Sequence, residues 1–116
     1  MNKTILIIED DQEVLRVYKT VLSQFGQVRV AQNMEQARPQ LEGLDLIILD
    51  YHLRGEKTSF EDIVPELKPF APILLCSGNP DPSVVALGKS LGVVGYWNKG
   101  TGLEALKRKV TPLLGD

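Results

Sequence analysis

Two short apolar runs that each end in carboxylates constrain this chain more than anything else in it. Ile5-Leu6-Ile7-Ile8 runs into Glu9-Asp10-Asp11, and Leu46-Ile47-Ile48-Leu49 runs into Asp50. A short, β-branched-rich run with no polar alternation predicts a strand buried on both faces, and hence a parallel sheet. In such sheets ligands bind beyond the carboxyl ends of the strands, where the connections diverge. If the two strands are neighbours, three or four carboxylates meet at one edge of one domain. Such a cluster is intolerable unless a cation sits in it or one carboxylate does chemistry.

The rest of the composition narrows the setting. At 116 residues the chain holds one core and not two. An apolar share of 43% and a charged share of 24% are ordinary globular usage, which excludes a disordered chain. A net charge of −2 with no basic run argues against nucleic acid as a direct partner. The apolar runs are too short to span a bilayer, and no signal-peptide pattern follows Met1, so the expected location is cytoplasmic. The single cysteine, Cys76, ends an apolar run and reads as a buried thiol.

Along the chain, strand and helix patterns alternate. Strands are expected at Lys3–Ile8, Val28–Ala31, Leu46–Leu49, Ile73–Cys76 and Val93–Trp97. A first helix over Gln12–Phe25 has Val14, Leu15, Val17, Tyr18, Val21, Leu22 and Phe25 at helical spacing, with Gly26 as its stop. Asn33 and Gln36 form a weak capping box for a second helix that Pro39 keeps short or kinked. A third helix near Phe60–Leu67 ends before Pro69 and Pro72. Asp81-Pro82 opens a fourth, running to about Leu91. Thr101-Gly-Leu-Glu104 reads as a capping box for the last, with Leu103, Leu106, Val110 and Leu113 inward. Five strands alternating with five helices predict an α/β sandwich around a parallel sheet.

Parallel strands put their carboxyl ends on one rim, which gathers Glu9, Asp10, Asp50, Ser77 and Lys99. Two like charges ~4 Å apart at an effective dielectric near 20 repel by about 4 kcal/mol. Mg²⁺ relieves this, because it favours a few carboxylate oxygens together with water and phosphate. Carboxylates, a hydroxyl and an ammonium around such an ion suit phosphoryl transfer, with Asp50 as nucleophile and Lys99 neutralising the transferred group.

At these residues the chain resembles the receiver domain of two-component response regulators. The likeness runs from Lys3 to about Leu114 and rests on four segments in order: residues 5–11, 46–50, 73–78 and 92–99. The resemblance implies a flavodoxin-like (βα)5 sandwich with strand order 2-1-3-4-5, which sets the first and third strands side by side. It also implies that Glu9 and Asp10 are the metal-binding acidic pair and Asp50 the phosphoacceptor. His52 falls where a backbone carbonyl is lent to the metal. Ser77 matches the switch hydroxyl, Tyr96 the switch aromatic, and Lys99 the phosphoryl-contacting lysine. The donor would be a sensor histidine kinase or a histidine phosphotransfer protein. The recipient of the signal would be a downstream protein effector or output domain, and a homodimer through the switch face stays open. Residues 1–116 read as a single receiver with no output domain in this chain.

Some positions depart from the family's habit or admit plainer readings. Gly100 follows Lys99 where proline is usual, which predicts a trans bond, a freer loop and a less firmly placed Lys99. The loop after Asp50 carries Arg54-Gly55-Glu56-Lys57-Thr58 in place of its usual proline. Asp11 reads as an ordinary helix cap. Ser77 admits the lesser reading of a turn hydroxyl, Tyr96 reads equally as a half-buried strand aromatic, and Trp97, on the opposite sheet face, reads as core. The departures motivate an alternative, a pseudo-receiver that binds proteins independently of phosphorylation. A phosphatase of the haloacid dehalogenase type would need a second aspartate two residues after Asp50, where His52 stands. A flavodoxin-like cofactor binder would need a phosphate loop after the first strand, where this chain is acidic.

Overall fold

The computed structural model describes residues 2–78 and 81–115. Five strands, β1 (Lys3–Ile8), β2 (Gly26–Ala31), β3 (Leu46–Asp50), β4 (Ile73–Ser77) and β5 (Gly95–Asn98), form one parallel sheet in the order β2-β1-β3-β4-β5. Helices α1 (Gln12–Leu22), α2 (Met34–Ala37), α3 (Phe60–Leu67), α4 (Pro82–Leu91) and α5 (Leu103–Leu113) alternate with them. The flavodoxin-like order expected from the family resemblance is the one found. No helix among the described residues is long and apolar enough to cross a membrane.

The continuous apolar runs serve two cores at once. From β1, Ile5 and Ile7 join Leu15, Tyr18 and Leu22 of α1 and Leu106 and Val110 of α5. Leu6 and Ile8 face the other way, onto Met34, Ala37, Ile63, Val64 and Leu67. Strand β3 divides in the same manner, with Ile48 on the first side and Ile47 and Leu49 on the second. Successive side chains of a strand alternate faces, so a sheet covered on both sides needs apolar residues at every position. Burying a Leu or Ile side chain is worth about 1.5–3 kcal/mol, so these seven strand residues anchor both layers. Trp97 lies in the first core, 1% exposed, edge-on to Tyr18 at 5.4 Å, and donates its indole N–H to the Gly102 carbonyl. Cys76 is fully buried, as expected, and burial pushes its thiol pKa up, away from reactivity.

Several boundaries differ from the sequence expectation, each for a local reason. Helix α1 passes into a 3-10 turn at Ser23–Phe25, and Gly26 does not close it in a left-handed cap. Gly26 is already the first residue of β2, at φ 143°, paired with Lys3. Val17, expected inward, is 47% exposed, because Leu15, Tyr18 and Leu22 take the buried stripe. Strand β5 starts at Gly95, two residues late, because Gly92 and Val93 finish α4. Gly92, left-handed at φ 103°, donates to Lys89 O, and Val93 donates to Gly88 O, which is a Schellman closure. Pro39 shortens α2 to one turn, followed by a 3-10 turn at Arg38–Gln40. Pro65 sits inside α3 and offers no N–H to the carbonyl of Glu61, an exposed residue in the helix's first turn.

The expected Thr101 box does not form, and no side chain among the described residues caps the last helix. Asn98 instead caps the 3-10 turn at Lys99–Thr101, where its side chain accepts from Gly100 N–H and its carbonyl accepts from Thr101 Oγ1. Gly102, at φ 91°, then precedes α5.

Candidate functional site

The sheet order makes β1 and β3 neighbours, so the acidic ends of both strands share one rim. Asp50 is the last residue of β3, opposite Cys76 of β4. Glu9 follows β1, its N–H still paired with Ala31 O of β2. Asp10 comes next, and Asp11 then caps α1 by accepting from Glu13 and Val14 N–H, as the sequence suggested. On the other side of Asp50, β4 ends at Ser77 and β5 delivers Lys99.

One carboxylate oxygen from each of Glu9, Asp10 and Asp50 lies within 4.8 Å of the others. Glu9 is 3% and Asp50 5% exposed, and Asp10 is partly exposed. The Lys99 ammonium bridges the buried pair, at 2.6 Å from Glu9 Oε1 and 3.1 Å from Asp50 Oδ1. Its charge sits 5.9 Å from the centre of the Tyr18 ring. The expectation that Gly100 would leave Lys99 poorly placed is therefore corrected. The bond before Gly100 is trans, and the Gly100 N–H, which a proline would lack, ties the turn to Asn98.

Burial pushes the Glu9 carboxyl pKa above its usual range, against the pull of Lys99 and of the Asp11 N–H that donates to Glu9 Oε2. Burial likewise raises Asp50, with Lys99 and the His52 N–H opposing. Burial also works on Asp10, but hydrogen bonds with Glu9 and Arg54 outweigh it and hold its carboxyl low. The Lys99 pKa is raised despite its own burial, because Glu9 and Asp50 favour the ammonium. Three carboxylates with two of them reluctant to ionise describe a site short of positive charge.

That donor set fits Mg²⁺. All three carboxylates would offer hard oxygens, and ligands about 2.1 Å from one ion stand at most about 4.2 Å apart. A span within 4.8 Å needs only a small contraction to meet that limit.

His52 lines the same open depression as Glu9, Asp10, Asp50 and Lys99, its ring packed edge-on to Tyr51 at 4.9 Å. Ser77 lies fully buried at the end of β4 beside them. Tyr96 stands apart, half-buried in a groove with Val85, Lys89 and Val94 between α4 and β5. Its hydroxyl is buried and has no hydrogen-bond partner among the described residues.

The loop after Asp50 contains two contacts that the sequence did not reveal. Arg54 reaches Asp10 Oδ2 with its backbone N–H at 3.3 Å and its Nε at 3.2 Å. Glu56 Oε1 accepts from Met34 N–H at 2.7 Å, so this loop supplies a carboxylate to the N-terminus of α2, while Oε2 accepts from Thr58 N–H. Gly55, at φ 76°, makes the turn between them. The only sequence signal was an Arg-Gly pair where a turn was due.

Glu56 gives a stability prediction. Burial raises its carboxyl pKa, but the Met34 and Thr58 N–H groups outweigh that and lower it below 4.5. Glu56→Gln is expected to cost about 1 kcal/mol at pH 7 in urea denaturation. A depressed carboxylate contributes stability above its unfolded pKa and loses it as pH falls through the folded one. The difference should therefore shrink once pH falls below 4.5 and disappear only below the lowered folded-state value. A gap undiminished at pH 3 would mean the loop is held by shape and not by charge.

A family model described as the response regulator receiver domain matches residues 5–111. No curated protein sequence matches the chain. Among solved structures, a BeF3-activated DrrB receiver domain is similar at TM-score 0.88 and 24% identity over 100% of both chains. A two-component response regulator from Clostridium difficile is similar at TM-score 0.87 and 23% identity, over 97% of this chain and 96% of that one. NtrX from Brucella abortus is similar at TM-score 0.89 and 21% identity, over 98% of this chain but only 27% of its own length.

Proposed function

The chain belongs to the response regulator receiver domain family, and from that premise we propose that Asp50 accepts a phosphoryl group from a phosphohistidine donor. The observation that carries the reading is the bridging ammonium of Lys99 between Glu9 and Asp50, beside a third carboxylate at metal-binding distance. In the proposed step an Asp50 oxygen forms a new O–P bond while the N–P bond of the donor breaks and the imidazole keeps the electron pair. Glu9, Asp10 and Asp50, with the His52 backbone carbonyl, would hold Mg²⁺, which when bound neutralises charge on the transferred oxygens. Lys99 moves from bridging two carboxylates to contacting the phosphoryl group, with no change in its own protonation.

Ser77 is placed at the end of the neighbouring strand, where its hydroxyl would follow the new anion. Tyr96 offers a buried hydroxyl lacking a described partner, a group that gains from any rearrangement of the β5 face. The donor would be a sensor histidine kinase or a histidine phosphotransfer protein, and the altered β5 face would be read by a protein effector or output domain. A phosphorylation-independent binding module is the second reading, favoured by one contact: Arg54 already engages Asp10.

Intact-protein mass spectrometry after incubation with acetyl phosphate separates them. The expected result is Mg²⁺-dependent gain of one phosphoryl group, mapped to Asp50. No gain, together with no beryllofluoride binding, would give the lead to the binding module.

A further inference from the structure

This inference rests on the Mg²⁺ reading above. We propose that Arg54 is a built-in competitor of the divalent cation, occupying Asp10 in the metal-free protein and weakening Mg²⁺ binding. Two donors of Arg54 converge on one oxygen, Asp10 Oδ2. Asp10 is the carboxylate that Lys99 does not touch, since that ammonium serves Glu9 and Asp50. The two cations thus divide the three acids between them. A guanidinium keeps its charge at any working pH, so it leaves only by moving.

It is built to move. The Arg54 side chain is 84% exposed, whereas that of Lys99 is 23% exposed. The backbone under Arg54 is held in place, because Glu56 N–H closes the turn onto Leu53 O and the Glu56 carboxylate is docked on Met34 N–H. The side chain can swing into water while the loop stays in position to receive it back. An exposed ion pair of this kind is weak, so the competition is graded and not a block. The expected penalty on the Mg²⁺ dissociation constant is about three- to tenfold.

The test is Mg²⁺ titration by isothermal calorimetry at constant ionic strength, on wild type, Arg54→Ala, Arg54→Lys and Lys57→Ala. Lys57 lies in the same loop, is exposed, and makes no ion pair among the described residues, so its removal changes net charge equally. Arg54→Ala is expected to bind Mg²⁺ three- to tenfold more tightly, Arg54→Lys to stay nearer wild type, and Lys57→Ala to shift less than twofold. Unchanged or weaker binding by Arg54→Ala overturns the proposal, and so does equal tightening by Lys57→Ala. If no variant and no wild-type protein binds Mg²⁺, the metal reading itself fails and the proposal falls with it.

Discussion

Asp50→Asn is expected to abolish phosphoryl uptake entirely and, at the same time, to make the protein more stable at neutral pH. The first effect follows from chemistry, because an amide oxygen carries no charge with which to attack phosphorus and forms no stable adduct. The second follows from the electrostatics of the rim. Asp50 is 5% exposed and its carboxyl is pushed up by burial, so its ionised form is worse off folded than unfolded. An acid raised in this way destabilises the folded state above its folded pKa, and the deficit disappears below its unfolded value near 3.8. Asparagine avoids that cost, while Lys99 keeps its 2.6 Å partner, Glu9.

The expected gain is about 1 kcal/mol at pH 7, shrinking as pH falls toward 4. Urea denaturation across that range measures it, and added Mg²⁺ should narrow the gap by stabilising wild type through binding. Phosphorylation of the asparagine variant would move the acceptor elsewhere. A loss of stability at neutral pH would show that Lys99 more than repays the burial of Asp50.

The stability gain is the reverse of what a purely structural carboxylate would give, and it bears on how the site was legible at all. Residues that cost stability where they stand leave a pattern in sequence: acids directly after apolar strands, in numbers no cap requires. Glu9, Asp10 and Asp50 were readable as acids at the ends of apolar strands, Lys99 from its place after the last strand, and the sheet order brings them together. Asp11, the acid that does only capping, was separable from them because it immediately precedes the helical spacing of α1.

Contacts made by loops obey no such period. Arg54 was noticeable only as a departure from family habit, and nothing in its neighbours pointed to Asp10, 44 residues away. The Glu56 cap on α2 is hidden in the same way, since a cap supplied from another segment has no local spacing. The Thr101 box failed because Thr101 is spent in the preceding turn, where its hydroxyl donates to the Asn98 carbonyl, and Gly102 stands at the start of α5 instead. Strand β5 was placed two residues early because Val93 is a strand former by composition, whereas its N–H is spent on ending α4.

Gly26 was misread more instructively, and it carries the largest stability prediction. A glycine after a helical stretch suggests a left-handed cap, which alanine tolerates at a cost of about 1 kcal/mol. Gly26 instead has φ 143° and ψ −145°, a region open essentially to glycine alone. A β carbon there would lie 2.1 Å from the Lys3 carbonyl oxygen and 2.8 Å from its nitrogen, both backbone atoms of the paired strand. Neither can swing aside as a side chain could. Gly26→Ala is therefore expected to cost about 4 kcal/mol or more, a large part of the whole stability of a domain this size.

Gly43 is the matched control. It also has positive φ, at 77°, but nothing lies within 4 Å of the added carbon, so Gly43→Ala should cost about 1 kcal/mol. Equal costs in urea denaturation would mean that the backbone angle alone matters and that β2 yields to the clash. A large difference would show that the close approach of β2 to β1 is the constraint. The clash lies at Lys3, at the opposite end of β1 from Glu9. Any Gly26→Ala protein that remains folded at low temperature should therefore still take up a phosphoryl group at Asp50, because the damage enters through the sheet and not through the rim.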